Sequence, residues 1–170
     1  MDILVVGNGG REHAIIKKLK SSPKCGKIYA AKGNAGIGEI AELVDIDPCD
    51  VKGIVTFVDE HKNIKLTVVA PDDPLALGLV DELEKAGHRA FGPRANAAII
   101  EASKCFSKDM MARYDIPTAK AKSFDDFNAA VEYVKSQKYP LVVKADGLAL
   151  GKGVIICESV DEAQKALSEM

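Results

Sequence analysis

Two periods alternate along the first hundred residues of this chain. Consecutive aliphatic and β-branched positions at Ile3–Val6, Ile28–Ala30, Leu66–Ala70 and Arg89–Phe91 predict strands. Between them, Glu12–Lys20, Asp50–His61 and Leu75–Ala86 carry apolar residues at helical spacing. Pro48 and Asp50 open the second of these helices, and Gly87 closes the third. Strand–helix alternation predicts an α/β fold: a parallel sheet covered by helices on both faces, with ligands gathered at the carboxyl ends of the strands.

The texture changes after Gly92-Pro93. Ala95–Tyr114 reads as mostly helical and ends before Pro117, because a residue preceding proline is pushed out of the α region. A strand is expected around Ala119–Lys122, then a helix opened by Ser123 with Asp126 three residues on. Strands at Leu141–Ala145 and Val154–Cys157 follow, joined by a hairpin-like glycine-rich connection, and a last helix is capped by Ser159 with Glu162. That helix reaches Met170 without a Gly, Pro or basic stop signal. The second unit holds only about fifty residues, below the size at which an ordinary core is self-sufficient. The expectation is the front part of a longer protein.

Composition narrows the classes. A 47% hydrophobic content supports a real core, while a net charge of −2 gives no support to a nucleic-acid-binding face. Aromatic residues are few and tryptophan is absent, which argues against stacking platforms for single strands. Cys25, Cys49, Cys105 and Cys157 are widely spaced, as expected of isolated thiols in a reducing compartment rather than of a zinc or redox motif. No signal peptide or bilayer-spanning run is read. A cytoplasmic protein with small-molecule partners, and neither nucleic acid nor membrane, is the expectation.

Candidate chemistry lies in the glycine-bearing turns. Val142–Ile156 has two apolar runs flanking Gly147, Gly151 and Gly153, with Lys144 and Lys152 beside them. Glycines let backbone N–H groups approach an anion closely, and lysines add point charge, so a nucleotide polyphosphate is the first ligand to consider. The P-loop motif does not fit, since only Leu148, Ala149 and Leu150 separate Gly147 from Gly151 and Gly153 follows Lys152. Lys144, amid Leu, Val and Ala, must either face the surface or find a partner.

Gly7-Asn8-Gly9-Gly10-Arg11-Glu12 occupies the strand-to-helix turn where a dinucleotide fingerprint would stand, but its third glycine is Glu12. No acidic residue ends the second strand, which reads Ala30-Ala31-Lys32. NAD is therefore disfavoured, whereas a phosphate at the helix start is still reasonable. Gly33-Asn34-Ala35-Gly36 and Pro71-Asp72-Asp73-Pro74-Leu75 follow two further strands, so all three turns should line one edge of the sheet. One of Asp72 and Asp73 is expected to cap the helix near Pro74, leaving the other for hydroxyl binding. His13, His61 and His88 show no metal spacing.

Taken in order, Val5-Val6-Gly7-Asn8-Gly9-Gly10-Arg11-Glu12-His13-Ala14, Gly33-Asn34-Ala35-Gly36, Phe91-Gly92-Pro93, Ser103-Lys104, Ile116-Pro117-Thr118-Ala119 and Lys144-Ala145-Asp146-Gly147-Leu148-Ala149 with Gly151-Lys152-Gly153-Val154 resemble the phosphoribosylamine–glycine ligases of the ATP-grasp superfamily. The resemblance covers essentially the whole chain. It implies a Rossmann-like parallel sheet, the pre-ATP-grasp domain that binds phosphoribosylamine, over residues 1–101. The beginning of an ATP-grasp domain would follow at 102–170, with a linking helix 102–116 and a small α+β lobe 117–170. It further implies ATP contacts from Lys104, Lys144, Gly147, Gly151, Lys152 and Gly153, the stretch Gly147–Gly153 forming a flexible lid. The phosphoribosyl substrate would lie on Gly7, Asn8, Gly9, Gly10, Gly33, Asn34, Pro71, Asp72 and Pro74. Asp72 departs from the glutamate usual there and is one methylene shorter.

The implied activity couples ATP cleavage to amide formation between glycine and 5-phosphoribosylamine, through glycyl phosphate. Magnesium (or manganese) ligands, most adenine contacts and much of the glycine site are expected beyond residue 170. No catalytic residue is assigned within the chain, which is expected to be inactive alone. Another ATP-grasp carboxylate–amine ligase or carboxylase stays open, as does a non-catalytic nucleotide- or phosphate-binding module.

Overall fold

The first strand is apolar at every position from Ile3 to Val6, and all four side chains are buried. Such a run suits only a strand covered on both faces. A computed structural model describes residues 1–148 and 153–170 and divides the chain into two units, Met1–Ile99 and Ile100–Met170.

The first unit runs β1 (Asp2–Gly7), α1 (Gly10–Lys20), β2 (Ile28–Lys32), α2 (Ala35–Gly38), β3 (Glu42–Val44), α3 (Val51–Glu60), β4 (Ile64–Val69), α4 (Asp72–Ala76), α5 (Leu79–Lys85), β5 (Ala90–Phe91) and α6 (Ala95–Ala102), where the units divide. The strands form one parallel sheet in the order β3-β2-β1-β4-β5. Progress runs outward from β1 to β3, then returns through α3 to lay β4 on the other flank of β1. That reversal sits between β1 and β4, where open α/β sheets leave a crevice at the strands' carboxyl ends.

Alternation along β1 feeds two cores. Leu4 and Val6, with Tyr29, Ala31 and Val69, pack against Ile54 and Val58 of α3, Leu79, Val80 and Leu83 of α5, and Ala98. Ile3 and Val5, with Ile28, Ala30 and Val68, pack against Ile16 of α1 and Ile37 of α2. The expected doubly covered parallel sheet is thus present.

Helix ends follow local chemistry. Asp50 caps α3 by accepting from the Gly53 N–H at 2.9 Å. After α5, the Gly87 N–H reaches Glu84 O and the His88 N–H reaches Leu83 O, a paired closure for which Gly87 adopts φ +85°. Several expectations need correction. Leu75–Ala86 is two helices, because Gly78 turns left-handed between them at φ +82°. Neither Asp72 nor Asp73 supplies the α4 cap: the helix starts at Asp72 and Pro71 stands at the cap position. The strand β3 and the short helix α2 were not anticipated. Three residues on a sheet edge, two of them exposed, leave little periodic signal.

The second unit continues with α7 (Lys104–Arg113), α8 (Phe127–Lys135), β6 (Leu141–Lys144), β7 (Val154–Cys157) and α9 (Val160–Ser168). The helical stretch expected over 95–114 breaks at Ser103, whose hydroxyl caps α7 by accepting from the Phe106 N–H at 3.1 Å. No strand forms at Ala119–Lys122. Instead Lys108 of α7 donates to the Thr118 hydroxyl (2.7 Å) and to the Ala119 carbonyl (2.8 Å), and no strand pairs with the segment among the described residues. The α8 cap is Asp126, which accepts from the Ala129 N–H, rather than Ser123. Ser159 caps α9 as expected.

Strands β6 and β7 pair antiparallel, with Val143 opposite Ile155 and Lys144 opposite Val154. Their inner face joins Val134, Ala163 and Ala166 in a small core. On the outer face Val142, Val154 and Ile156 stay exposed, Ile156 at 66%.

Candidate functional site

In the first unit, three turns meet at the carboxyl edge of the sheet. Parallel pairing of β1 with β2 and β4 brings their ends level, with Gly7 opposite Lys32 and Val6 opposite Val69. The Gly33 N–H donates to Gly7 O at 3.2 Å, and the Asn34 amide donates to Asn8 O at 2.8 Å. The Asn34 side-chain oxygen caps α2, accepting from the Ile37 N–H at 3.0 Å. One asparagine therefore fastens two of the turns together.

The third turn is joined through α1. Gly7 sits at φ +121°, and a Cβ there would lie 2.7 Å from both Glu12 Cγ and Pro71 Cγ. Only glycine lets the Glu12 stem and the Pro71 ring close over the end of β1. Glu12 is buried, its carboxylate accepting from the Gly9 N–H at 2.6 Å and from Arg11 Nε at 3.0 Å. Arg11 continues to Asp72, with Nη1 and Oδ1 3.6 Å apart.

Of the residues expected to hold a phosphoribosyl group, Asn8 and Gly10 are exposed, while Gly9, Gly33, Asn34, Pro71 and Asp72 are half-buried. Gly7 and Pro74 are buried, so they shape the turns from beneath. Arg11 and Glu12 stand in the sequence motif that carries the resemblance, but the sequence alone assigns neither of them a role in the site. The signal was their adjacency at the helix start, where a carboxylate favours the N-terminal dipole. A depression of about 440 Å³ beside α3, lined by Ile46, Asp50, Lys52, Thr56 and Glu60 among others, includes none of the expected residues.

In the second unit, the glycine-bearing connection starts from a fixed point. The Asp146 carboxylate accepts from the N–H groups of Lys104 (2.6 Å) and Cys105 (3.2 Å) and from the Ser103 hydroxyl (3.0 Å). Burial pushes this carboxyl up, but hydrogen bonds from Cys105, Ser103, Lys104 and Gly147 outweigh it and hold the group below its ordinary value. The Lys104 ammonium donates to Gly147 O at 2.6 Å, so it is half-buried rather than free in solvent. Gly147 adopts φ +94°.

Lys144 ends β6 on the exposed face, and among the described residues it makes no hydrogen bond or ion pair. Gly153 is buried, and its carbonyl extends the hairpin by accepting from the Ala145 N–H at 2.9 Å. Gly151 and Lys152 lie outside the described residues. Among the described residues, no group of three His, Cys, Asp or Glu side chains could hold a metal ion, and no helix is long and apolar enough to cross a membrane.

Known proteins match this arrangement over its full extent. Residues 1–101 match the model of the phosphoribosylglycinamide synthetase N domain, and residues 102–170 that of its ATP-grasp (A) domain. The chain is 49% identical to a phosphoribosylamine–glycine ligase of Caldanaerobacter subterraneus subsp. tengcongensis and 47% identical to one of Yersinia pestis, all of this chain being covered in each case. It spans about 40% of the length of these relatives. The crystal structure of a Thermotoga maritima phosphoribosylamine–glycine ligase superposes with a TM-score of 0.75 at 28% identity, over 97% of this chain and 38% of that one. A Campylobacter jejuni biotin carboxylase superposes with a TM-score of 0.77 over 97% of this chain and 40% of its own, at 18% identity, which speaks for the fold alone. With both stretches matched in order, the chain belongs to the phosphoribosylglycinamide synthetase family, residues 1–101 in the N domain and residues 102–170 in the ATP-grasp domain.

Proposed function

We propose that this chain supplies the phosphoribosyl-binding surface and part of the ATP-binding surface of a longer ligase. The whole protein, on this reading, joins glycine to 5-phosphoribosylamine in purine biosynthesis and releases ADP and phosphate. A glycine carboxylate oxygen attacks the γ-phosphorus and the bond to ADP breaks. The amine of phosphoribosylamine then attacks the acyl carbon of glycyl phosphate, inorganic phosphate leaves, and the amine gives up a proton.

This chain's residues bind and orient. The Asn8, Gly9 and Gly10 turn faces the phosphorylated sugar, offering the exposed amides of Asn8 and Gly10, with Asn34 and Asp72 as partners for its hydroxyls. Lys104 and Lys144 neutralise the polyphosphate, where preorganised charge lowers the barrier. Gly147, Gly151, Lys152 and Gly153 complete that contact. Magnesium or manganese would accompany ATP, held by ligands from sequence beyond residue 170. Small molecules are the only partners this reading requires, and a cytoplasmic location accords with it.

The observation that carries the reading is the joining of the β1, β2 and β4 turns by Asn34 and Arg11 in a chain whose relatives bear this activity in their names. Calorimetric titration with ribose 5-phosphate, a stable stand-in for phosphoribosylamine, tests it: saturable binding to the chain is expected, and none would sink it. The chain alone should form no glycinamide ribonucleotide from ATP, glycine and phosphoribosylamine.

A further inference from the structure

A carboxylate taken out of water needs partners that make up for its lost hydration. Glu12 is 3% exposed, and both of its partners, the Gly9 N–H and Arg11 Nε, belong to the β1–α1 turn. Helix capping alone does not require such burial. In α9, Glu162 also reaches back beyond the helix start, accepting from the Glu158 N–H one residue before the Ser159 cap at 2.8 Å, yet it stays exposed and pairs with no guanidinium among the described residues.

Glu12 also occupies the space that Gly7 vacates, next to Pro71 of the third turn, and Arg11 spans from it to Asp72. An arginine offers five N–H donors in a rigid fork. The Nε–H donates to Glu12, and Nη1 lies 3.6 Å from Asp72, an ion pair without a hydrogen bond, which leaves the outer donors for a ligand. A guanidinium anchored at Nε by a buried carboxylate, with a second carboxylate 3.6 Å from Nη1, keeps its outer fork open, and such a fork suits a phosphate.

We propose that Glu12 is a positioning residue of the phosphoribosyl site, holding the Gly9 amide and the Arg11 guanidinium so that Arg11 binds the phosphate of a phosphorylated pentose. This inference rests on the substrate reading given above. Glu12 does not touch the ligand; it acts through Arg11.

The test is titration of the whole chain with ribose 5-phosphate, comparing wild type, Glu12→Gln, Arg11→Met and the double variant, with melting temperatures alongside. Each single change should weaken binding roughly ten-fold, the loss of one charge-assisted contact. The double variant should be no weaker than the worse single, because both remove the same contact. Losses that add, or that track melting temperature across the series, would assign Glu12 a merely structural role and overturn the proposal. Unchanged affinity of Glu12→Gln overturns it too, while leaving the substrate reading intact. No binding by wild type removes both. Should Glu12→Gln fail to fold, Arg11→Met decides alone, since unchanged affinity there overturns the proposal.

Discussion

The Asp146 carboxylate rests on the first turn of α7, 2.6 Å from the Lys104 amide nitrogen. It contributes the negative charge that a helix start favours, and it fixes where the glycine-bearing connection leaves β6. Its carboxyl is held below the ordinary value although burial opposes this. The linkage sign follows from that direction. The stabilisation is full above the unfolded-state pKa and is lost as pH falls through the lower folded value. Acid unfolding of the wild type should therefore be steeper below about pH 4 than that of Asp146→Asn. Parallel acid limbs for the two proteins would count against this role.

Lys104 and Lys144 should behave differently when replaced by alanine. Lys144 is exposed and unpaired among the described residues, so its loss should weaken ATP binding by about 1.5–3 kcal/mol and leave the melting temperature unchanged. Lys104 also holds Gly147 O, so its loss should weaken binding and lower the melting temperature as well. Calorimetry with ATP and a thermal melt on each variant check both.

Gly7→Ala should be destabilising by about 1–3 kcal/mol, because φ is +121° and the new methyl meets Glu12 and Pro71 at 2.7 Å. Ribose 5-phosphate binding should fall with it. Chemical denaturation and titration of the refolded variant measure the two effects.

Thr67 is fully buried in β4, and its hydroxyl has no hydrogen-bond partner among the described residues. Thr67→Val keeps the shape and removes the orphaned group, so it should raise unfolding free energy by about 1 kcal/mol. A shift of the denaturation midpoint at constant slope is the expected readout.

Much of the first unit was readable because buried parallel strands write continuous apolar runs, as Ile3–Val6 and Ile28–Ala30 do. Caps were legible where the side chain acts locally, as with Asp50 and Ser159. Breaks that depend on the fold were not. Gly78 interrupts an apolar periodicity that continues on both sides of it, and Ser103 divides a stretch whose residues all tolerate a helix. Ala119–Lys122 has strand-like residues but gains no neighbour, and pairing rather than propensity makes a strand. The candidate turns could be placed on one edge from topology alone. The Glu12–Arg11–Asp72 connection could not, because adjacency in sequence says nothing about which side chain turns inward.

The helix start at Gly9 thus brings its own anion, and this bears on how the fold could be redesigned. Replacing Glu12 by glycine would restore the spelling of a dinucleotide fingerprint without its function. The change would unseat Arg11, free the Gly9 amide and leave a hollow beside Pro71. Converting this scaffold to a nicotinamide-cofactor protein would require rebuilding three turns together.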